Sequence, residues 1–371
     1  MAAPSQRREV LLDVRCLQGP SAQRGIGTYA RGLTRALSEA GFEYSALVDE
    51  DLGPVELPPG ATTIHQVRRR SHGRFAGWED AVALRDDLAR IRPALYHALT
   101  LSLPSSAPCP VAVTVHDLVP WAFGGWRMLG ERIRHRVARR LLPRAELIFA
   151  VSESTREDLL KFGRVEESRV RVVYEGVDPS FVPLPGAAER VERRWGVAGR
   201  YYLFVGALDV RKDPIGLVRA WRTATAAGAA GELVVAGDPG RQAPADMGGA
   251  RLLGHVTDDE LVDLLSAGAC LLFPSLYEGF GLPALEAMAC GCPVVAYRNS
   301  SLPEVVGEAG ILVANRRPEE LGRAAAELIL DTDRRSRLVS SGLKRASRFT
   351  WKEAARRTAE GYRSLVEIIA P

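Results

Sequence analysis

The chain has 371 residues, a formal net charge of +4, 46% hydrophobic residues and 25% charged ones. A single core stops growing near ~250–300 residues, so two units of similar size are expected, and this balance excludes a disordered or fibrous chain. No stretch approaches the ~20 apolar residues of a membrane span, residues 1–9 lead straight into a strand-like run instead of a signal peptide, and the charge is too mild to argue for nucleic acid, so a cytoplasmic protein is expected.

In chain order, short apolar runs alternate with longer helical patterns. A strand from Val10 to Val14 precedes a helix from Gly27 to Leu37, and further strands are expected at the Leu95-Tyr-His-Ala run and from Val111 to Val115. Leu147 to Val151 reads as a strand and Thr155 to Phe162 as a helix. Asp178 to Gly186, with three prolines, breaks the pattern before a helix from Ala187 to Trp195. Strands then follow at Tyr201 to Val205, Glu232 to Ala236, Cys270 to Phe273 and Pro293 to Ala296, with helices from Gly216 to Ala226 and Pro283 to Cys290. Such alternation predicts α/β architecture, doubly wound parallel sheets occurring twice. The amphipathic segment from Trp351 to Ile369 has no strand after it and is expected to pack back across the junction. Five cysteines (Cys16, Cys109, Cys270, Cys290, Cys292), odd in number and without C-x-x-C spacing, read as reduced thiols and not as zinc ligands or disulfides.

Several stretches carry chemistry. Gly25-Ile-Gly27 opens a helix after the first strand, where backbone amides can meet phosphate, although a lone G-x-G is a weak signal. The strand from Val111 ends in His116-Asp117, and ligands of open α/β sheets bind outside the carboxyl ends of strands. His97 and Ser152 hold similar places. Trp121 to Arg140 joins aromatics to an arginine-rich amphipathic stretch, suited to a solvated helix face or to peripheral contact with an anionic membrane surface. Arg211 and Lys212 follow a strand-end glycine, Gly206, and can neutralise a departing pyrophosphate. The most specific signal is Glu278-Gly-Phe-Gly-Leu-Pro-Ala-Leu-Glu286, a strand–loop–helix cradle. Its amides at Gly279, Phe280, Gly281 and Leu282 would face an anion at the positive end of the helix, between the two carboxylates.

This stretch resembles the Glu-x7-Glu motif of retaining glycosyltransferase family 4, and Pro293 to Gly310 continues that family's pattern. The resemblance implies the GT-B fold: two Rossmann-like doubly wound parallel-sheet domains facing a cleft. It implies an acceptor-binding domain at 1–180, with a C-terminal helix of about 352–371 packing back, and a donor-binding domain at 181–351. It places Glu278 on the donor sugar, Glu286 on the ribose, Arg211 and Lys212 on the diphosphate, and His116 on the transferred sugar. Gly25 and Gly27 would face the donor diphosphate. The Leu253-Gly254-His255-Val256 turn resembles the segment that meets the nucleobase. His97, Asp117 and Ser152 would line the acceptor side. Two departures stand out: Ala207 occupies a position where the family often has arginine, and Glu175 replaces a common asparagine, so no shared role is inferred for it.

The implied activity is hexose transfer from a nucleoside-diphosphate sugar, GDP-mannose or a UDP-sugar favoured, to a glycan, lipid-linked or small-molecule hydroxyl. Retention would come from front-side attack, with no metal or other cofactor, in a protein of the cytoplasm or of the membrane's inner face. The competing readings are a sugar-nucleotide epimerase on the same fold and a nucleotide-sugar-binding protein without turnover. A dehydrogenase is disfavoured because no strand is followed by G-x-G-x-x-G.

Overall fold

The computed structural model describes residues 9–23, 25–56, 60–68, 76–123, 133, 135–239 and 246–366. The chain forms two compact units, Met1–Gly176 with Thr350–Pro371, and Val177–Phe349.

The first unit is built on a seven-stranded sheet: β1 (Val10–Asp13), β2 (Tyr44–Asp49), β3 (Ala61–Val67), β4 (Leu95–Ala98), β5 (Val111–Val115), β6 (Leu147–Ala150) and β7 (Val170–Val172). Their order is β3-β2-β1-β4-β5-β6-β7 and every pairing is parallel. Every residue of β1, β4, β5 and β6 is buried, because helices cover both faces of the sheet. β3 lies at the edge and alternates between partly buried and exposed positions. The order reverses between β1 and β4, which makes the ends of those strands the place where such sheets open a crevice.

The C-terminal helix, Trp351–Arg363, belongs to this unit. Its Trp351 ring lies where a Cβ on Gly32 would stand, 2.2 Å from the nearest ring atom, so glycine in the Gly25–Glu39 helix makes room for it. Gly176 is constrained in the same way, with the Trp351 amide nitrogen 2.2 Å from its would-be Cβ. Tyr362 is fully buried against Phe42, His97 and Phe149.

The second unit holds six parallel strands: β8 (Tyr201–Val205), β9 (Glu232–Ala236), β10 (Arg251–Gly254), β11 (Cys270–Phe273), β12 (Val294–Arg298) and β13 (Ile311–Ala314). The order β10-β9-β8-β11-β12-β13 reverses between β8 and β11. The Pro179, Pro183 and Pro185 segment opens this unit, and the chain passes from one unit to the other at Gly176 and Val177.

Element bounds differ from expectation in places. The helix expected from Thr155 to Phe162 is α-helical over Glu153–Asp158 and then widens into a π-helical turn, Leu159–Gly163. β2, β3, the Ala76–Ile91 helix and the Pro318–Leu330 and Thr332–Ala346 helices were not anticipated. No described helix is long and apolar enough to cross a membrane, and all five cysteines are free.

Candidate active site

The carboxyl ends of β8 and β11, on either side of the strand-order reversal, carry a linked set of polar groups. After β8 the chain turns at Gly206, where φ is +129°, and enters a 3-10 turn, Val210–Lys212. Asp209 caps that turn by accepting from the amides of Arg211 (2.9 Å) and Lys212 (3.2 Å). The Leu276 amide donates to the Arg211 carbonyl at 2.7 Å, tying the turn to the loop after β11. Lys212 is thereby brought against Glu278, and the two buried side chains form an ion pair, with the ammonium also lying over the Phe273 ring, 4.8 Å from its centroid.

Burial pushes Glu278 up, but the charges of Lys212 and Arg211 more than reverse this, and its carboxyl sits below the ordinary range. Lys212 moves the other way relative to its charge: burial lowers it, Glu278 opposes that, and repulsion from Arg211 adds to the lowering. Arg211 therefore helps the carboxylate and hinders the lysine, so the charged carboxylate is the firmer half of the pair.

The loop holding Glu278 is braced from beyond β12. Glu278 donates its amide to Ser300 Oγ at 2.8 Å, Ser301 Oγ donates to the carbonyls of Phe280 (2.6 Å) and Glu278 (3.2 Å), and Asn299 Nδ2 donates to the Ser275 carbonyl at 2.8 Å. Gly281, at φ +102°, is the N-cap of the Leu282–Ala289 helix and has no side chain to close its first turn. The positive end of this helix, with no side-chain cap, suits this position to an anion. Glu286 lies buried within that helix. The Phe280 ring turns away to pack on Phe349, with centroids 5.8 Å apart, leaving its backbone as the candidate contact.

Gly254 and exposed His255 close β10. The Gly254 carbonyl accepts from the amide of Gly237, and a Cβ at Gly237 would stand 2.4 Å from the Gly206 carbonyl oxygen. The ends of β8, β9 and β10 thus meet through glycines. The part played by Gly237, and the brace from Asn299 to Ser301, were missed by sequence reasoning; a glycine directly following a buried strand was the available signal for the first.

In the first unit, His116 follows β5. Its ring packs on the Tyr29 edge, 4.7 Å between centroids, with Nε2 3.0 Å from the Leu99 carbonyl and Nδ1 3.2 Å from Glu175 Oε1. Asp117 Oδ1 accepts from the Val119 amide at 3.1 Å, supporting the local turn. Two expected acceptor-side residues are corrected by burial. His97 is 0% exposed, bonded at Nδ1 to Tyr362 Oη (2.5 Å) and at Nε2 to Thr114 Oγ1 (2.9 Å), and burial with the nearby His116 lowers it to about 3. It is a core histidine, because a strand covered on both faces buries even its polar residues. Ser152 is also fully buried and is the N-cap of the Glu153–Asp158 helix, accepting from the Thr155 amide at 3.0 Å.

Gly25 begins the first helix and is exposed, whereas Gly27 is buried with the Ala22 carbonyl oxygen 2.0 Å from its would-be Cβ. Close passage of the chain over itself, not room for a ligand, accounts for glycine at 27. Sequence reasoning also missed a buried cluster at the β1–β4 reversal. Arg15 forks onto Asp13 (2.8 and 2.6 Å), Tyr96 Oη donates to Asp13 at 2.7 Å, and Arg15 donates to Ser102 Oγ at 2.7 Å. Of the basic aromatic stretch, residues 124–132 and 134 lie outside the described residues. Arg139 lies 5.7 Å over the Trp121 ring and donates to the Phe162 carbonyl, while Arg136 and Arg140 are exposed.

Comparison with known proteins gives this arrangement its class. Residues 23–181 match the model described as Glycosyltransferase Family 4, and residues 199–331 the model described as Glycosyl transferases group 1. The protein is a glycosyltransferase, and its two doubly wound sheets have the GT-B fold. Sucrose-phosphate synthase from Thermosynechococcus elongatus superposes with a TM-score of 0.79 at 22% identity, covering 97% of this chain and 99% of that one. Anabaena HepE in complex with UDP and glucose gives 0.71 at 19% identity, covering 97% and 100%.

The chain belongs to glycosyltransferase family 4. It is 26% identical to O-antigen chain mannosyltransferase B of Escherichia coli, over 92% of this chain and 96% of that protein. It also aligns, at 25% identity over 96% of its own length, with 48% of the longer serotype-specific mannosyltransferase WbdA of Escherichia coli.

Proposed function

We propose that the protein moves a hexose, mannose foremost, from a nucleoside-diphosphate sugar to a hydroxyl of a glycan, lipid-linked or small-molecule acceptor, with retention of configuration. The observation that carries this reading is the buried Lys212–Glu278 pair beside the open N-terminus of the Leu282–Ala289 helix, at the strand-order reversal of the second sheet. An anion there meets backbone amides and a helix dipole, and Lys212 and Arg211 add positive charge where the leaving diphosphate gains negative charge. Glu278 is then available to the sugar hydroxyls, Glu286 to the ribose, and Gly254 and His255 to the base. His116 orients the transferred sugar.

Mannose as the sugar rests on two of the relatives, both mannosyltransferases. GDP-mannose is the first donor to try and UDP-sugars the second, since HepE carries UDP. In the proposed step the anomeric carbon–phosphate oxygen bond breaks, the acceptor oxygen bonds on the same face, and the acceptor proton passes to the leaving phosphate. No metal is called on, so activity is expected to survive EDTA. Exposed Arg136 and Arg140 are the residues through which the Trp121–Arg140 stretch would touch an anionic membrane.

The test is thermal shift and slow donor hydrolysis against GDP-, UDP-, ADP- and dTDP-sugars, with Arg211→Ala beside the wild type. One donor should stabilise the protein and be hydrolysed, both effects fading in the variant. No stabilisation by any donor at millimolar concentration would sink the reading.

A further inference from the structure

His116 has an unusual pair of neighbours. The Leu99 carbonyl, 3.0 Å from Nε2, can only accept a hydrogen bond, so Nε2 carries a hydrogen. A neutral ring with hydrogen on Nε2 has a bare lone pair on Nδ1. That lone pair would face Glu175 Oε1 at 3.2 Å, and an ionised carboxylate has only lone pairs to offer in return. Glu175 is 4% exposed, so water does not readily relieve the clash. Both contacts become hydrogen bonds only if one further proton lies between Nδ1 and Oε1.

We propose that His116 and Glu175 share one proton beyond those of a neutral imidazole and an ionised carboxylate, and that Glu175 is a positioning residue that keeps the imidazole from acting as a base. The other groups facing the ring leave that proton where it is. Tyr29 presents its ring at 84° to the imidazole, and its hydroxyl is engaged with Thr114 Oγ1 at 2.9 Å. Thr114 in turn meets His97 Nε2, and His97 is neutral. Trp351 packs behind Tyr29, 5.8 Å between centroids, and fixes it. The His116 carbonyl is also taken, accepting from Thr155 Oγ1 at 3.3 Å. Both ring nitrogens are thus engaged within the unit that carries them, with no free ring lone pair to take a proton from an acceptor hydroxyl.

The consequence for transfer rests on the proposed function, but the proton itself does not. Nitrogen-15 NMR of histidine-labelled protein, with the His116 signals assigned by their loss in His116→Asn, should show hydrogen on both ring nitrogens at neutral pH. In Glu175→Gln the side-chain amide can donate to Nδ1, so one nitrogen should turn bare while the ring stays in place. A bare Nδ1 in the wild type, unchanged by Glu175→Gln, would overturn the proposal.

With a hydrolysed donor in hand, kcat and KM separate a positioning role from a merely structural one. Glu175→Ala should lose roughly 100-fold in kcat with KM little changed, and Glu175→Gln should recover most of that loss at neutral pH. A loss in Glu175→Ala that Glu175→Gln fails to recover would contradict the positioning role. If no donor is turned over but both nitrogens carry hydrogen, the shared proton stands and the transferase reading fails.

Discussion

The two sheets reverse their strand order in the same way, yet the two reversal points are furnished differently. At β1 and β4, Arg15 is forked onto Asp13, Tyr96 donates to the same carboxylate, and Ser102 takes a remaining guanidinium hydrogen. Burial raises Asp13, but Arg15 and Tyr96 more than reverse this and hold it below its ordinary value. At β8 and β11, Lys212 meets Glu278 as a single charge pair, and the helix beyond it opens on Gly281 without a side-chain cap. The first is a closed knot in which each charge has a dedicated partner. The second keeps two opposite charges in each other's company beside a helix end with no side-chain cap, an arrangement that a bound anion can enter without breaking a finished network. One topology can therefore make a strut or a receptor, and the difference lies in how completely its charges are answered.

The largest expected effect breaks the receptor. Lys212→Met removes one half of a buried pair and leaves Glu278 uncompensated, which typically costs ~3–5 kcal/mol, and donor stabilisation should vanish with it. The double variant Lys212→Met, Glu278→Leu should regain most of that stability in a urea titration and still bind no donor. If the double variant bound donor, the pair would be structural only.

A smaller effect is expected from the strut side of the first unit. His97→Leu leaves the Tyr362 and Thr114 hydroxyls without their ring partner, at a cost of roughly 1–3 kcal/mol, with donor stabilisation retained. Loss of donor binding in that variant would contradict the division drawn between core histidine and site.

The smallest effect is a pH dependence. Glu278 has its folded value depressed below that of an ordinary glutamate, so its contribution is present above the ordinary value and disappears as pH falls through the folded one. Acid unfolding curves of wild type and Glu278→Gln should therefore separate above the ordinary glutamate range, with the wild type the more stable, and converge as pH falls through the depressed folded value. Parallel curves would remove the charge pair from the stability account.

Much of this was legible in the sequence. β5, β8, β9 and β11 are largely apolar runs, broken only by Thr114 and opened in β9 by Glu232, with the bounds expected of them, because strands covered on both faces need no polar alternation. β3 escaped notice since, as an edge strand, it alternates without a strong apolar run. The Pro318–Leu330 and Thr332–Ala346 helices are rich in charge, and only contact with the rest of the unit identifies their buried sides. At the site, Arg211, Lys212, Glu278 and Glu286 could be picked out by residue type and spacing. Nothing in spacing announces that Ser300 and Ser301 reach back 22 and 21 residues to hold the Glu278 loop. His97 was misplaced for a related reason: position near a strand end was read as exposure, while the helix carrying Tyr362, 265 residues away in sequence, seals it.

The central claim is hexose transfer with retention, from a donor held at the Lys212–Glu278 pair. Proton NMR of GDP-α-mannose hydrolysis by the protein, read before mutarotation scrambles the product, tests it most directly. The account predicts α-mannose as the first anomer to appear, with release abolished in Lys212→Met; β-mannose appearing first, or release undiminished in that variant, would contradict it.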